Sequence, residues 1–443
     1  MTAVPDTRIP SGSVQPAPFP VGHLPVATGS EAGRGRRVVW KFGGTSIGDA
    51  DRLRAVATRL IAARRQGLQV VAVLSAKGGA TDDLVSLAHK VSPKPHPREL
   101  DALLAVGEST SCALAAIAIH ELGERAVSLT GPQAGIYTDD SHGNARLQRV
   151  SPERVVEALE QDMIVLVTGF QGVSANGDIT TLGRGGSDAS AVALASALGL
   201  RECDIFTDVP GVFTADPRVV PGAQKLDSLS HYEMLQLADA GARVLQTRAV
   251  ELAAAHDIDI HVRSSFTCDA GTRVHRGKPM LEEARVCGVA HLHHDPLYTV
   301  TGVSSAAVSA ALARRDMAIG SIICCEGEVQ FTAPGTTPVR LVAALGAMDA
   351  GVAVRDELGS VSVVSMTGGN QPGTITTALS ALERSGITVH LVACTPNRVS
   401  CHVPATDVDR AAQALHDAFG LHELAGAIAT GGVPTAQEKP SHA

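Results

Sequence analysis

Aromatic residues are scarce in this chain: one Trp, three Tyr and eight Phe, 3% of 443 residues. Hydrophobic residues still make up 44%, so the core must be aliphatic, built from Ala, Val, Leu and Ile. Basic charge is short as well. The 37 Lys and Arg against 45 Asp and Glu give a net charge of −8. That argues against a nucleic-acid coat or an anionic-membrane binder, since both need a basic face. Apolar runs such as Ala189 to Leu200 stop short of the ~20 residues that cross a bilayer, and the N-terminus lacks a charged-then-apolar signal pattern. The eight cysteines have no CxxC spacing, and the only close pair, Cys324 and Cys325, is adjacent. They read as buried small apolar residues in a reducing compartment, not as a zinc site or disulfide framework. What remains is a cytoplasmic globular protein of two to four domains, at roughly 150 residues each.

Residues 1–37 hold six Pro and five Gly with almost no apolar periodicity, the composition of a disordered leader. Order is expected from Val38-Val39-Trp40 onward. Runs such as Gln69–Leu74, Met163–Val167, Cys203–Thr207 and Asp259–Arg263 have the continuous apolar character of buried strands. Helical patterns lie between them at Ala50–Arg65, Glu99–Leu122, Pro152–Gln161 and Ser187–Leu198. This alternation predicts an α/β domain with a mostly parallel sheet covered on both faces. Ligands of such sheets bind beyond the carboxyl ends of the strands, where the glycine-rich turns fall here.

Residues 267–283, with Gly271, Gly277 and Pro279, read as an inter-domain linker. Beyond them is a weak repeat. Thr299–Gly302, a helix, Ala318-Ile319 and Val329–Pro334 form one copy. Ser362–Ser365, a helix from Thr374, Gly386-Ile387 and Val399–Pro404 form the second. Each copy reads βαββα, and the first is shorter, mostly in its first strand-to-helix loop.

Three segments carry chemistry. In Lys41-Phe42-Gly43-Gly44-Thr45-Ser46 two glycines let backbone N–H groups cradle a phosphate at a helix start, and the lysine adds a mobile charge for phosphoryl oxygens. It is neither a Walker A loop nor a GxGxxG fingerprint, and alone it would pass for an ordinary strand-to-helix turn. In Thr180-Thr181-Leu182-Gly183-Arg184-Gly185-Gly186-Ser187-Asp188 the Arg suits bidentate capture of a carboxylate. Ser187 and Asp188 would sit in a first helical turn, which plain capping would also explain. The third, Thr207–Arg218 with two Pro-containing turns, is consistent with a loop around a nucleotide, or with a surface loop.

Together, in this order, these segments resemble the aspartate kinase branch of the amino-acid kinase family, over about residues 38–425. Val73–Asp82, Gly107-Glu108, Leu129–Asp139 and Val262–Phe266 add to the resemblance. It implies a three-layer α/β/α amino-acid kinase domain with a mostly parallel sheet at 38–280. Two α+β, ferredoxin-like (βαββαβ) ACT modules would follow at 284–356 and 357–425, the first degenerate, with a flexible tail at 426–443. It further implies ATP-dependent phosphorylation of the side-chain carboxylate of L-aspartate, with Mg²⁺, in a homo-oligomer dimerised through the ACT modules, without nucleic acid or membrane. Its pathway would be that of the aspartate-derived amino acids.

The resemblance also assigns roles. Lys41 would contact the transferring phosphate, with Gly43 and Gly44 as backbone donors and Asp188 organising the lysine. Ser75, Thr81, Glu108, Arg184 and Ser187 would hold aspartate, Glu108 facing its ammonium and Arg184 a carboxylate, so that Arg184 also belongs with the catalytic set. Thr207, Asp208, Phe213, Arg218 and Arg243 would line the nucleotide site. The metal ligands stay unassigned. Departures from the family pattern are Arg243 for a usual lysine, Ser109 for an Arg, and Phe213 for a Tyr. The first module reads Ser304-Ser305-Ala306-Ala307 in place of a DKPG-type loop. The second keeps Pro372-Gly373 but has Ala393-Cys394-Thr395-Pro396 where a Ser-Glu pair is usual. Feedback by lysine or threonine is therefore expected to be weak or absent. The alternatives are a kinase for an aspartate analogue and a non-catalytic regulatory subunit. Retention of Lys41, Arg184 and Asp188 speaks against the latter.

Overall fold

The computed structural model describes residues 35–277, 286–315, 317–334, 336–346, 350–365 and 369–423. The expected tail at 426–443 and nearly all of the expected leader lie outside them.

An eight-stranded sheet organises the first part of the chain. Its order is Ser228–Ser230, Thr272–His275, Asp259–Ser264, Glu202–Thr207, Arg37–Phe42, Gln69–Leu74, Ile164–Thr168, Ala126–Leu129. The last six run parallel, whereas Thr272–His275 is antiparallel to Asp259–Ser264. Side chains alternate between two cores along these strands. Val39, Val71, Val73 and Val165 pack on one face; Val38, Trp40, Phe42, Val70 and Leu166 pack on the other. Burial on both faces is why the strands read as unbroken apolar runs. Three aromatics meet here, with Phe42 stacked on Phe206 at 4.8 Å and Trp40 edge-on to Phe206 at 5.4 Å.

The expected pattern 99–122 is two helices, Pro97–Leu104 and Val106–Glu121. The combined run is long and apolar enough by composition to span a bilayer, but Cys112, Ala115 and Ile119 are spent in the core against Ala57 and Leu60. A second sheet, Leu147–Val150, Ile136–Thr138, Gln171–Val173 and Ile179–Thr181, has strands of three or four residues, too short to show a period in sequence.

Two expectations are corrected. The segment 267–283 is not simply a linker, because Thr272–His275 is a strand of the main sheet with Thr272 and Val274 fully buried. The cysteines are not uniformly buried either: Cys268, Cys324, Cys325 and Cys394 are exposed.

The repeat is real, but its copies are interleaved. The first comprises Leu297–Thr301, helix Ser305–Ala313, Ile322–Cys325, Glu328–Thr332, helix Pro338–Leu345 and Gly351–Arg355. Its sheet order is Ile322–Cys325, Glu328–Thr332, Leu297–Thr301, Gly351–Arg355. The second runs from Leu358–Ser365 to helix Val408–Ala418, and its fourth strand is Val286–Leu292. That strand's residues were expected to fall within the first module, 284–356. It pairs instead with Leu358–Ser365, which is buried along its whole length and needs a hydrogen-bonding neighbour on each side. The first module is thus inserted inside the second. In each copy the second strand starts later than expected. Gly386, at φ +66°, ends a helix, and Ile387 N–H donates back to Leu382 O.

The second module's core reaches into the first domain, taking up Ala215 and Val220. Val289 N–H donates to Thr214 O at 2.7 Å, and Thr214 Oγ1 is 2.9 Å from Nε2 of buried His416. The loop after strand Glu202–Thr207 is therefore packed as part of the second module.

Candidate active site

Six parallel strands present their carboxyl ends at one edge of the main sheet, and the glycine-rich turns leave from there. After Phe42 the chain enters Gly43-Gly44 and a short 3-10 turn, Gly44–Ile47. Gly43 N–H donates to Phe206 O on the neighbouring strand, and Gly78 N–H donates to Gly44 O. A Cβ on Gly44 would lie 2.6 Å from Ala76 O and 3.0 Å from Gly78 N, both backbone atoms. Close approach of two loops fixes the glycine, not a special φ.

Lys41 is the penultimate residue of its strand. Its ammonium lies 2.6 Å from Asp188 Oδ1, with both side chains about a tenth exposed. The contact is ionic rather than a directed hydrogen bond. Asp188 stands in the first turn of helix Gly186–Ala197, which begins after Gly185 at φ +71°. At Gly185 a Cβ would meet Gln246 Cβ at 2.2 Å, so glycine is required twice over. Ser187 is buried beside Gly169, where an added Cβ would come within 2.6 Å of it.

On the other side of Lys41, Ser75 N–H donates to Phe42 O and Ala76 N–H donates to Glu108 Oε1 at 2.9 Å. Glu108 is 3% exposed, and its second oxygen has no partner. Burial pushes its carboxyl up to about 7, against the opposing pull of backbone hydrogen bonds. A half-satisfied buried carboxylate at a site's mouth is equipped to receive a cation.

The structure thus brings together Lys41, Gly43, Gly44, Ser75, Glu108, Ser187 and Asp188. Thr207 ends the adjacent strand and Asp208 follows it, joined by a 3.1 Å hydrogen bond from Thr207 Oγ1 to Asp208 Oδ1. Thr81 is half-buried in the first turn of helix Ala80–Val91. Others are more peripheral. Phe213 bridges to Lys225 within the loop shared with the second module. Arg218 is exposed and turned onto Asp216 at 2.6 Å, and Arg243 is exposed. Arg184 is exposed at a cavity of about 860 Å³ that Asn144, Arg146, Gln246 and Arg248 also line, with Ala318 of the first module. Neither Lys41 nor Asp188 lines that cavity.

One organising residue escaped sequence reasoning. Asp101, 1% exposed, accepts from Gly143 N, Thr181 N, Thr181 Oγ1 and His142 Nδ1. It pins both loops that flank Arg184. Its only sequence signal was an acid within an apolar helix. Phe170 was also missed; it holds φ +67° and donates its N–H to Ser190 Oγ.

The amino acid kinase family model matches residues 36–264, and an ACT domain model matches 361–419. The chain is 44% identical over 406 residues to the aspartokinase of Mycolicibacterium smegmatis, covering 87% of this chain and 96% of that one. It belongs to the aspartokinase family. The E. coli aspartokinase III structure in complex with aspartate and ADP (R-state) superposes with a TM-score of 0.74 at 25% identity, covering 86% of this chain and 99% of that one. The complex of the same enzyme with lysine and aspartate (T-state) gives 0.67 at 26% identity, covering 86% and 98%. These matches extend over the main domain and the C-terminal modules of this chain together.

Proposed function

We propose that the protein transfers the γ-phosphoryl group of ATP to the side-chain carboxylate of L-aspartate, giving 4-phospho-L-aspartate. The observation that carries the reading is the Lys41–Asp188 pair beside the Gly43-Gly44 turn, in a chain of the aspartokinase family. The Gly43 and Gly44 backbone and the Lys41 ammonium would bind the phosphates. Asp188 would hold the ammonium where charge grows on the transferring oxygens. Glu108 would take the substrate ammonium and Arg184 a substrate carboxylate, while Ser75, Thr81 and Ser187 complete the acceptor pocket. Thr207, Asp208, Phe213, Arg218 and Arg243 would border the nucleotide. The substrate carboxylate attacks the γ-phosphorus in line and ADP leaves. Positioning and electrostatics account for the catalysis without a covalent enzyme intermediate.

Carboxylate oxygen suits Mg²⁺, a hard cation, and Asp208 makes no ion pair among the described residues. Asp208 would hold the ion, which neutralises charge on the nucleotide phosphates when bound.

A homo-oligomer assembled through the regulatory modules fits the exposed edge strand Ile322–Cys325, and a cytoplasmic location fits ATP and free aspartate as substrates. Weak feedback fits the first module's strand-to-helix loop, 302–304, which is only three residues long. ADP release measured with L-aspartate, with L-glutamate and with no acceptor tests the reading. Turnover with aspartate alone is expected; equal rates in all three arms would refute it.

A further inference from the structure

Strand Val286–Leu292 ends at His291-Leu292, and His293-His294 follow directly. Residues two apart on an extended chain share a face, and the rings of His291 and His293 meet edge-on, 4.8 Å between centroids. Asp409, in the first turn of helix Val408–Ala418, faces them with Oδ1 2.7 Å from His293 Nε2. One ligand atom from each of the three residues lies within 4.8 Å of the others. His291 is half-buried, while His293 and Asp409 are open to solvent, so an ion can enter.

We propose that His291, His293 and Asp409 form a binding site for a divalent transition metal of the zinc, cobalt and nickel class. Two imidazoles and one carboxylate make a three-ligand set that leaves a position for water, with donor–metal distances of about 2.0–2.2 Å. Donors around a tetrahedral ion stand about 3.3 Å apart by that geometry, so the 2.7 Å His293–Asp409 hydrogen bond opens slightly, and all three donors already lie within 4.8 Å of one another. Imidazole nitrogen selects against Mg²⁺ and Ca²⁺, which prefer oxygen. The site is therefore distinct from any nucleotide-borne Mg²⁺. A surface ion pair alone would account for His293 with Asp409, but not for the second imidazole facing both.

The location gives the site a consequence. Its strand donates to Thr214 O through Val289 N–H, and its helix reaches Thr214 Oγ1 through His416. Asp216 and Arg218, paired with each other in the same loop, are near enough to act on His291 electrostatically. A metal bridging strand and helix clamps the two elements that hold the loop next to the catalytic edge.

The test uses the full, untagged, chelator-stripped chain carrying Cys324→Ser and Cys325→Ser, which removes an exposed thiol pair that would also take such metals. Co²⁺ titration followed by visible absorption, and Zn²⁺ titration by calorimetry, are expected to show one saturable site. His293→Ala and Asp409→Ala should each weaken it at least ~10-fold, and bound Zn²⁺ should raise the melting temperature of the parent but not of His293→Ala. His422→Ala, in a second cluster with His416 and Asp417, should leave binding intact, and metal-free His293→Ala should keep the parent's kinase rate. Unchanged affinity in His293→Ala, loss in His422→Ala instead, or no saturation below millimolar metal would each overturn the proposal.

Discussion

Replacing Glu108 with Gln tests the acceptor site most directly. The carboxyl is 3% exposed, holds one backbone N–H from Ala76 and is raised by burial to about 7. In the free enzyme about one molecule in ten is then ionised at pH 6 and about nine in ten at pH 8. Binding of the substrate ammonium to the carboxylate therefore makes KM for aspartate fall about tenfold from pH 6 to 8, or about 1.4 kcal/mol. KM for ATP should not follow. In Glu108→Gln the Ala76 hydrogen bond survives but the charge does not. KM for aspartate should rise by roughly 10–150-fold at pH 8, equivalent to about 1.5–3 kcal/mol for a charged hydrogen bond, and lose its slope.

Stability supplies an independent check. The folded-state pKa lies above the unfolded one, so Glu108's contribution is full below about pH 4.5 and is lost as pH rises to about 7. At 1.36 kcal/mol per pH unit that is about 3 kcal/mol. Substrate-free Glu108→Gln should match the wild type in urea denaturation near pH 4.5 and exceed it by about 3 kcal/mol at pH 8. A wild-type KM that is flat between pH 6 and 8, or a Gln variant with the same slope, would refute the assignment.

Lys41→Ala should lower kcat at least ~10²-fold, the usual loss when one preorganised charge leaves a transition state; near-normal turnover would remove Lys41 from the chemistry. Gly44→Ala drives a methyl to 2.6 Å from Ala76 O and should depress kcat/KM for ATP at least ~10-fold, by displacing the donors that face the phosphates. Gly373→Ala, with nothing within 4 Å, serves as its silent control. Arg184→Ala should raise KM for aspartate by roughly 10–150-fold and leave that for ATP nearly unchanged; equal effects on both would make Arg184 structural. Lysine and threonine, titrated singly and together to millimolar levels, should inhibit weakly or not at all, and more than tenfold inhibition at sub-millimolar effector would show that a working effector site exists.

The sequence by itself determined the elements whose signals are local. Buried parallel strands must be apolar on both faces, so Gln69–Leu74 and its neighbours announced themselves within a residue or two. The Gly43-Gly44 and Gly185-Gly186 turns were legible because backbone close approach and left-handed φ admit little else. Their order was enough to name the family and nominate Lys41, Glu108 and Asp188. Tertiary structure decided what depends on distant partners. Asp101 is a buried hub only because Thr181 and Gly143 arrive from elsewhere in the chain, and no local pattern records that. Strand Val286–Leu292 carries the same apolar code whichever module it joins. Its membership was settled by the unfilled hydrogen bonds of Leu358–Ser365, some seventy residues on. The packing of Ala215 and Val220 into the second module's core was equally invisible. A small apolar residue in a loop declares that it will be buried, but only the folded chain supplies the surface that buries it.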